Sequence, residues 1–120
     1  MRIVQLIDSL EIGGAEKMAV SYANALSAEI AFSGLIATRK EGALKDELQS
    51  DVPYWFANRK SVLDFKALWR TRTFVKEHKV SILHAHSSSF FFAVLLKIIQ
   101  PSLKIVWHDH YGYSLSLIHI

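Results

Sequence analysis

Residues 2–16 read Arg-Ile-Val-Gln-Leu-Ile-Asp-Ser-Leu-Glu-Ile-Gly-Gly-Ala-Glu, and this stretch decides the fold. Arg2–Asp8 is typical of a short buried strand, and Ser9–Gly14 of a loop that ends in two glycines. We expect a helix to begin at Ala15 and Glu16. A strand, a glycine loop and a helix in this order place free backbone N–H groups and a helix N-terminus at the end of a parallel sheet, where anions such as phosphate bind.

Gly13 and Gly14 are the candidate anion-binding residues. Without a Cβ atom, their backbone can take positive φ values and can approach a ligand closely. Glu16 in the first turn of the helix adds about 0.3–1 kcal/mol through the helix dipole. The dinucleotide fingerprint and the phosphate loop with Gly-Lys-Ser/Thr are both missing, which argues against a nicotinamide-dependent enzyme or an ATPase. A plain tight turn is the alternative interpretation.

Composition indicates one compact domain with its own core. The chain has 120 residues, of which 51% are apolar, and its net charge is +3. This charge is too small to indicate a nucleic-acid-binding protein. The chain has no cysteine, so neither a disulfide framework nor a thiolate metal site can form. The longest apolar run, Phe90–Leu96, is shorter than the roughly 20 residues that span a bilayer.

Strand patterns and helix patterns alternate along the chain, which predicts βαβ units around a parallel sheet. The expected strands are Arg2–Asp8, Ile30–Ala37, Val52–Phe56, Ser81–Ala85 and Lys104–His108. The expected helices are Ala15–Ser27, Ala43–Gln49, Leu63–Lys79 and Ser88–Ile99. The stripe of the first helix that we expect to face the sheet comprises Ala15, Met18, Ala19, Tyr22 and Leu26.

The predicted helix Leu63–Lys79 has two distinct faces. The face assigned to the core comprises Leu63, Ala67, Leu68, Thr71, Phe74 and Val75. The opposite face carries Phe65, Trp69, Arg72 and Lys76. Aromatic residues among cations on an outward face can mark a contact with a membrane surface or a partner. An ordinary solvated face is the alternative, and we favour it because scattered exposed apolar residues are common.

The last six residues, Leu115–Ile120, read Leu-Ser-Leu-Ile-His-Ile. They resemble the translation of an adapter from transposase-based sequencing libraries. We therefore expect the native domain to cover residues 1–114, cut near its end, and residues 115–120 to be a non-native tail. We exclude His119 from every candidate site. The alternative is the start of a sixth strand, which the apolar alternation of this stretch also permits.

Histidines mark the ends of the last two predicted strands. His84 and His86 end one strand, and His108, Asp109 and His110 end the next. In a His-x-His strand both rings lie on one face, and ligands of open α/β sheets bind beyond the carboxyl ends of the strands. Simple packing is the alternative, above all for His84. Metal binding is a further alternative, because His-x-His with an aspartate is a good divalent site.

Three motifs resemble those of glycosyltransferase family 4. The first is the opening strand and loop with Gly-Gly-Ala-Glu, the second is Ile82-Leu-His-Ala-His-Ser, and the third is Val106-Trp-His-Asp-His-Tyr-Gly. They occur in consistent order between Met1 and about Tyr113. Val80-Ser81 departs from the Pro-Asp that is common in the family at that point. Between the first helix and the second strand, the turn is unusually short.

This resemblance implies a GT-B architecture of two Rossmann-like domains facing a cleft. The chain would be the N-terminal, acceptor-binding half: an α/β fold with a Rossmann-like open parallel sheet of about five strands and helices on both faces. The resemblance also implies a retaining hexosyltransferase, truncated here and inactive alone. Its parent would move a sugar from a nucleotide-sugar donor to a glycan or lipid-linked acceptor in cell-surface polysaccharide synthesis.

Roles for individual residues follow from motif position in that family. Gly13 and Gly14 would approach the donor diphosphate, and His108 would contact the donor sugar near the reacting centre. His86, His110 and Glu16 would line the acceptor side of the cleft. The resemblance implies neither a cofactor nor a metal, and it gives no nucleic-acid partner. It implies a cytoplasmic protein, with a possible peripheral contact at the inner face of the membrane through Phe65, Trp69, Arg72 and Lys76.

Two other classes of function compete with this interpretation. The first is a metal-dependent hydrolase that uses His84, His86, His108 and Asp109. The second is a non-catalytic domain of the same α/β class, similar to a response regulator. An acidic pocket would support the second class, but Asp8 is the only acid that ends the first predicted strand.

Overall fold

A computed structural model describes residues 1–108 in full and the backbone of residues 115–118. The strands are β1 (Arg2–Ser9), β2 (Phe32–Lys40), β3 (Tyr54–Phe56), β4 (Ile82–His86), β5 (Lys104–His108) and β6 (Leu115–Ile118). The α-helices are α1 (Gly14–Leu26), α2 (Phe65–Glu77) and α3 (Phe90–Ile99). Two short 3₁₀ turns cover Ala43–Glu47 and Ser87–Ser89.

The strands form one sheet in the order β3-β2-β1-β4-β5-β6. Strands β1 to β5 are parallel, which confirms the predicted Rossmann-like parallel sheet. The sixth strand, Leu115–Ile118, pairs antiparallel with β5. It lies in the stretch interpreted above as a non-native tail, and the adapter origin of that stretch stays a prediction.

Helices cover both faces of the sheet, as predicted. On one face, Ala19, Val20 and Ala23 of α1 pack on Ile7 and Leu35. On the other face, the core joins α2 and α3 to the sheet through Leu6, Leu68, Phe74, Leu83 and Leu96, among others. Each fully buried leucine contributes about 1.5–3 kcal/mol relative to an exposed one, so both apolar layers stabilise the sheet.

The orientation of α1 differs from the predicted stripe. Met18 and Tyr22 are each 38% exposed, whereas Ala19, Val20 and Ala23 are buried. Small alanine side chains let the helix approach the sheet closely, so the sheet-facing stripe is narrower than predicted and rotated by one position. This rotation leaves Tyr22 beside the strands that carry the histidines.

Helix α2 is shorter at both ends than predicted. It begins after Asp64, whose carboxylate accepts a hydrogen bond from the backbone N–H of Ala67 at 3.1 Å. Leu63 therefore precedes the helix and is 55% exposed, so its assignment to the core is wrong. The other five residues of the predicted core face are buried: Ala67, Leu68, Thr71, Phe74 and Val75.

Other boundaries shift for local reasons. Strand β2 runs to Lys40, because its pairing with β1 continues past a bulge to Ser9. The predicted helix Ala43–Gln49 is only a 3₁₀ turn, held by a hydrogen bond from Leu44 N–H to the Leu10 carbonyl at 3.1 Å. Strand β3 begins at Tyr54, after Pro53, which has no N–H to donate. The predicted helix Ser88–Ile99 divides into a 3₁₀ turn and α3.

Candidate functional site

Three of the chain segments that reach the carboxyl edge of the sheet carry candidate site residues. Strand β4 ends at His86 and β5 at His108, and these two residues are partners in the parallel register. Strand β1 lies beside β4 and ends at Ser9, close before the start of α1 at Gly14. Because neighbouring parallel strands end at one edge, the strand-end histidines and the glycine loop share that edge.

His84, His86 and His108 form a histidine cluster on one face of the sheet. The rings of His84 and His86 stack with their centroids 4.2 Å apart. The ring of His108 lies 5.7 Å from each of the other two. The gathering follows from the two-residue period of a strand and from the pairing of His86 with His108, as the sequence predicted. Asp109 and His110 lie outside the described residues.

Two side chains that the sequence did not predict as site residues complete this cluster. Gln5 is fully buried, and its Oε1 atom lies 2.7 Å from Nε2 of the fully buried His86. The ring of Tyr22 lies 5.3 Å from His84, 6.0 Å from His86 and 6.3 Å from His108. Gln5 carried a signal, because it interrupts an apolar strand with a polar group that needs a partner when buried.

The cluster has the composition of a metal site but a loose geometry. One nitrogen from each of His84, His86 and His108 lies within 4.8 Å of the others. Two nitrogens on one tetrahedral zinc ion are about 3.4 Å apart, so the rings would have to move inwards to bind it. The hydrolase hypothesis named these three residues and Asp109, and no observation on the described residues favours hydrolysis over other chemistry.

Gly13 and Gly14 differ in the space around their Cα atoms, and neither has the backbone conformation that the sequence suggested. Gly13 is the N-cap of α1 with φ −173° and ψ 168°, an extended conformation. Neither Gly13 nor Gly14 has a positive φ, so that part of the prediction is wrong. A Cβ atom on Gly13 would collide with the carboxylate of Glu16, which folds back over the first turn. A Cβ atom on Gly14 would meet nothing within 4 Å, so Gly14 faces open space.

Asp8 organises the same edge on the opposite face of the sheet. Its carboxylate accepts hydrogen bonds from the hydroxyls of Thr38 and Ser88. Its Oδ1 atom lies 3.6 Å from a guanidinium nitrogen of Arg59. Asp8 is only 7% exposed, so this network links β1, β2, the loop after β3 and the turn after β4 in a buried setting. The sequence indicates the acid at the end of the first strand but not its partners.

The outward face of α2 is partly as predicted. Phe65 is 61% and Trp69 52% exposed, and Lys76 is exposed. Arg72 is half-buried: its guanidinium lies 5.1 Å from the centre of the Trp69 ring and donates a hydrogen bond to the carbonyl of Ile99 at 3.0 Å. Within the described residues, no helix combines the length and apolar character needed to cross a membrane.

Comparison with known proteins identifies the family. The family model described as Glycosyltransferase Family 4 matches residues 12–120, which is most of the chain. No curated protein sequence matches the chain. The matched range contains the diglycine helix start and all three histidines of the cluster. The chain therefore belongs to glycosyltransferase family 4.

Proposed function

We propose that this chain is the acceptor-side domain of a retaining glycosyltransferase with two Rossmann-like domains, of the hexosyltransferase type. The enzyme transfers a sugar from a nucleotide-sugar donor to a glycan or lipid-linked acceptor in cell-surface polysaccharide synthesis. Family membership supports the class of reaction. The observation that carries the assignment of the site is the pairing of His86 with His108 at the edge where the glycine loop also ends.

Glycosyl transfer needs donors that stabilise the departing diphosphate. In this proposal, backbone N–H groups at Gly13 and Gly14 meet that charge together with the N-terminus of α1. The open space beside Gly14 allows close approach of a diphosphate oxygen. Glu16 lies over Gly13 and must swing away when an anion binds, which its flexible side chain permits. These protein donors take the place of a metal cofactor.

The reacting sugar also has to be held in place. We assign this role to His108, whose imidazole can hydrogen-bond a sugar hydroxyl and hold the sugar in reactive geometry. The sequence placed His86 on the acceptor side of the cleft, but this residue is fully buried, so we assign it a supporting role: its contact with Gln5 fixes the ring beside His108. We place His110 on the acceptor side as well, by its position in the motif. This positioning role does not require the His108 imidazole to act as a general base.

A lipid-linked acceptor would require contact with a membrane surface. We propose that the domain is cytoplasmic and binds the inner face of the membrane peripherally through α2. Phe65 and Trp69 are the exposed apolar anchors, and exposed cations lie beside them at Lys66, Arg70 and Lys76. Aromatic side chains suit the interface, and the cations suit anionic lipid headgroups. Arg72 supports this face through its contacts with Trp69 and Ile99.

Replacement of His108 by alanine in the full-length enzyme tests the proposal. We expect turnover of the nucleotide-sugar donor to fall at least about 100-fold, because the sugar loses its positioning contact. Folding should be kept, as judged by circular dichroism. A matched control is His78→Phe, which removes an imidazole near the opposite edge while keeping an aromatic ring between Phe32 and Phe74. Near-parental turnover by His108→Ala would remove this residue from the mechanism.

A further inference from the structure

A cavity of about 230 Å³ opens beside Asp8, on the face of the sheet opposite to the histidine cluster. Its polar wall comprises Asp8, Arg39, Arg59 and Ser88, and its apolar wall includes Val62 and Phe91. Asp8 is the last residue but one of β1 and Ser88 follows β4, so the cavity lies at the carboxyl edge of the sheet. It therefore lies at the same edge of the sheet as the site to which the proposed function assigns the acceptor.

Arg59 gives the cavity hydrogen-bonding capacity that the described residues leave unused. A guanidinium carries five N–H donors. One nitrogen pairs with Asp8 at 3.6 Å, whereas the buried Nε atom has no hydrogen-bond partner among the described residues. The Arg59 side chain is only 15% exposed, so water has limited access to it. The Asp8 carboxylate already accepts hydrogen bonds from the hydroxyls of Thr38 and Ser88, and it holds the Arg59 guanidinium in place through the ion pair.

The electrostatics of the cavity favour an anion. Arg39 is exposed at the rim and adds a second guanidinium, so two cations and the single carboxylate of Asp8 leave a net charge of +1. Helix α3 begins at this wall, because Ser88 lies in the turn before it and Phe91 in its first turn. The positive end of the helix dipole therefore adds to the attraction for a negative group.

We propose that this cavity binds the phosphate group of the acceptor, an inference that rests on the proposed function. Two guanidinium groups and a helix N-terminus suit a phosphate, which offers three acceptor oxygens and can bind arginine in a bidentate manner. The volume is below the range of about 300–1,000 Å³ that holds a drug-sized ligand, so it fits a headgroup. Val62 and Phe91 are 56% and 50% exposed, which suits an apolar chain that continues beyond the phosphate.

Calorimetric titration of the chain with inorganic phosphate and with octyl phosphate tests this proposal. We expect Arg39→Gln to weaken binding of both probes at least about tenfold, because one charged hydrogen-bond donor is lost. Lys104→Gln is the matched control, since it removes the same charge from an exposed position at the start of β5, outside the cavity and away from α2. Arg39→Lys should restore part of the affinity. Circular dichroism checks that each variant is folded.

The two probes also distinguish the source of the phosphate. For a lipid headgroup, octyl phosphate binds more tightly than inorganic phosphate, and Val62→Ser weakens only octyl phosphate. For a soluble phosphorylated acceptor, the two probes bind equally and Val62→Ser changes neither. Absence of binding by both probes would overturn the proposal, and so would equal losses in Arg39→Gln and Lys104→Gln. Because these titrations need no sugar donor, their failure is distinct from a failure of the proposed transferase activity.

Discussion

Replacement of Asp8 by alanine tests the buried network that joins four segments at the carboxyl edge. Removal of one partner of a buried ion pair costs about 3–5 kcal/mol, because the other charge is left unpaired. Asp8 and Arg59 keep 10% and 15% side-chain exposure at a separation of 3.6 Å, which favours the lower end of that range. Thr38 is fully buried and loses its acceptor, whereas exposed Ser88 can bond to water. We therefore expect the free energy of unfolding to fall by about 3 kcal/mol.

Urea denaturation followed by circular dichroism measures this loss, which corresponds to a fall of about 10 °C in Tm for a domain of this size. Asp51→Ala is the matched control, because Asp51 is exposed. A double-mutant cycle with Arg59→Ala should show that the double variant loses less stability than the sum of the two single variants. If the free energy of unfolding of Asp8→Ala lies within about 1 kcal/mol of that of Asp51→Ala, the network does not stabilise the edge. A difference of that size is about the usual scatter between surface variants.

Four further predictions concern two glycines, the cap of α2 and the exposed face of that helix. Gly42→Ala should lower the free energy of unfolding by about 1–3 kcal/mol in urea, because its Cβ would collide with the rigid backbone of Leu10. Gly14→Ala should leave the free energy of unfolding nearly unchanged, but it should lower donor turnover of the full-length enzyme about tenfold or more. Turnover equal to that of the parent would exclude the diphosphate contact. The backbone N–H groups of Lys60 and Ala67 hold the pKa of Asp64 below its usual range. The stabilisation by Asp64 is thus present above the unfolded-state pKa of about 3.9 and is lost as pH falls through the lower folded-state pKa. Asp64→Ala and the parent should therefore differ in Tm at neutral pH and have similar Tm values in acid. A difference in Tm that stays constant with pH would refute this prediction. Trp69→Ser should weaken sedimentation with anionic vesicles several-fold, whereas Ile12→Ser, at another exposed apolar side chain, should not, and equal effects would contradict the membrane contact.

The sequence predicted those features that depend on local periodicity. The stacking of His84 on His86 follows from a two-residue strand period, and the meeting with His108 follows from parallel pairing of neighbouring strands. Five of the six residues assigned to the core face of α2 are buried for the same reason, since a helical period places them on one side. The assignment of Leu63 to the core face was wrong because Asp64 caps the helix, which therefore begins after Leu63.

The features that the sequence did not predict depend on contacts between distant segments. The Asp8 carboxylate bonds to Thr38, which lies thirty positions away in the sequence, and to Ser88, which lies eighty positions away. No local pattern in the sequence indicates either contact. Tyr22 has the spacing of a core residue, but close packing of Ala19 and Ala23 turns it towards the histidine cluster. Such rotations depend on how closely a helix approaches its sheet, which is a property of the packed core.

The most direct test of the central claim is an NMR titration of the full-length enzyme, labelled with ¹⁵N on glycine and histidine, with a nucleotide sugar. If the glycine loop and His108 bind the same ligand, the amide signals of Gly13 and Gly14 and the ring signals of His108 shift together and give one Kd. Shifts of the glycines without His108, or two different Kd values, would show that these groups do not share a ligand.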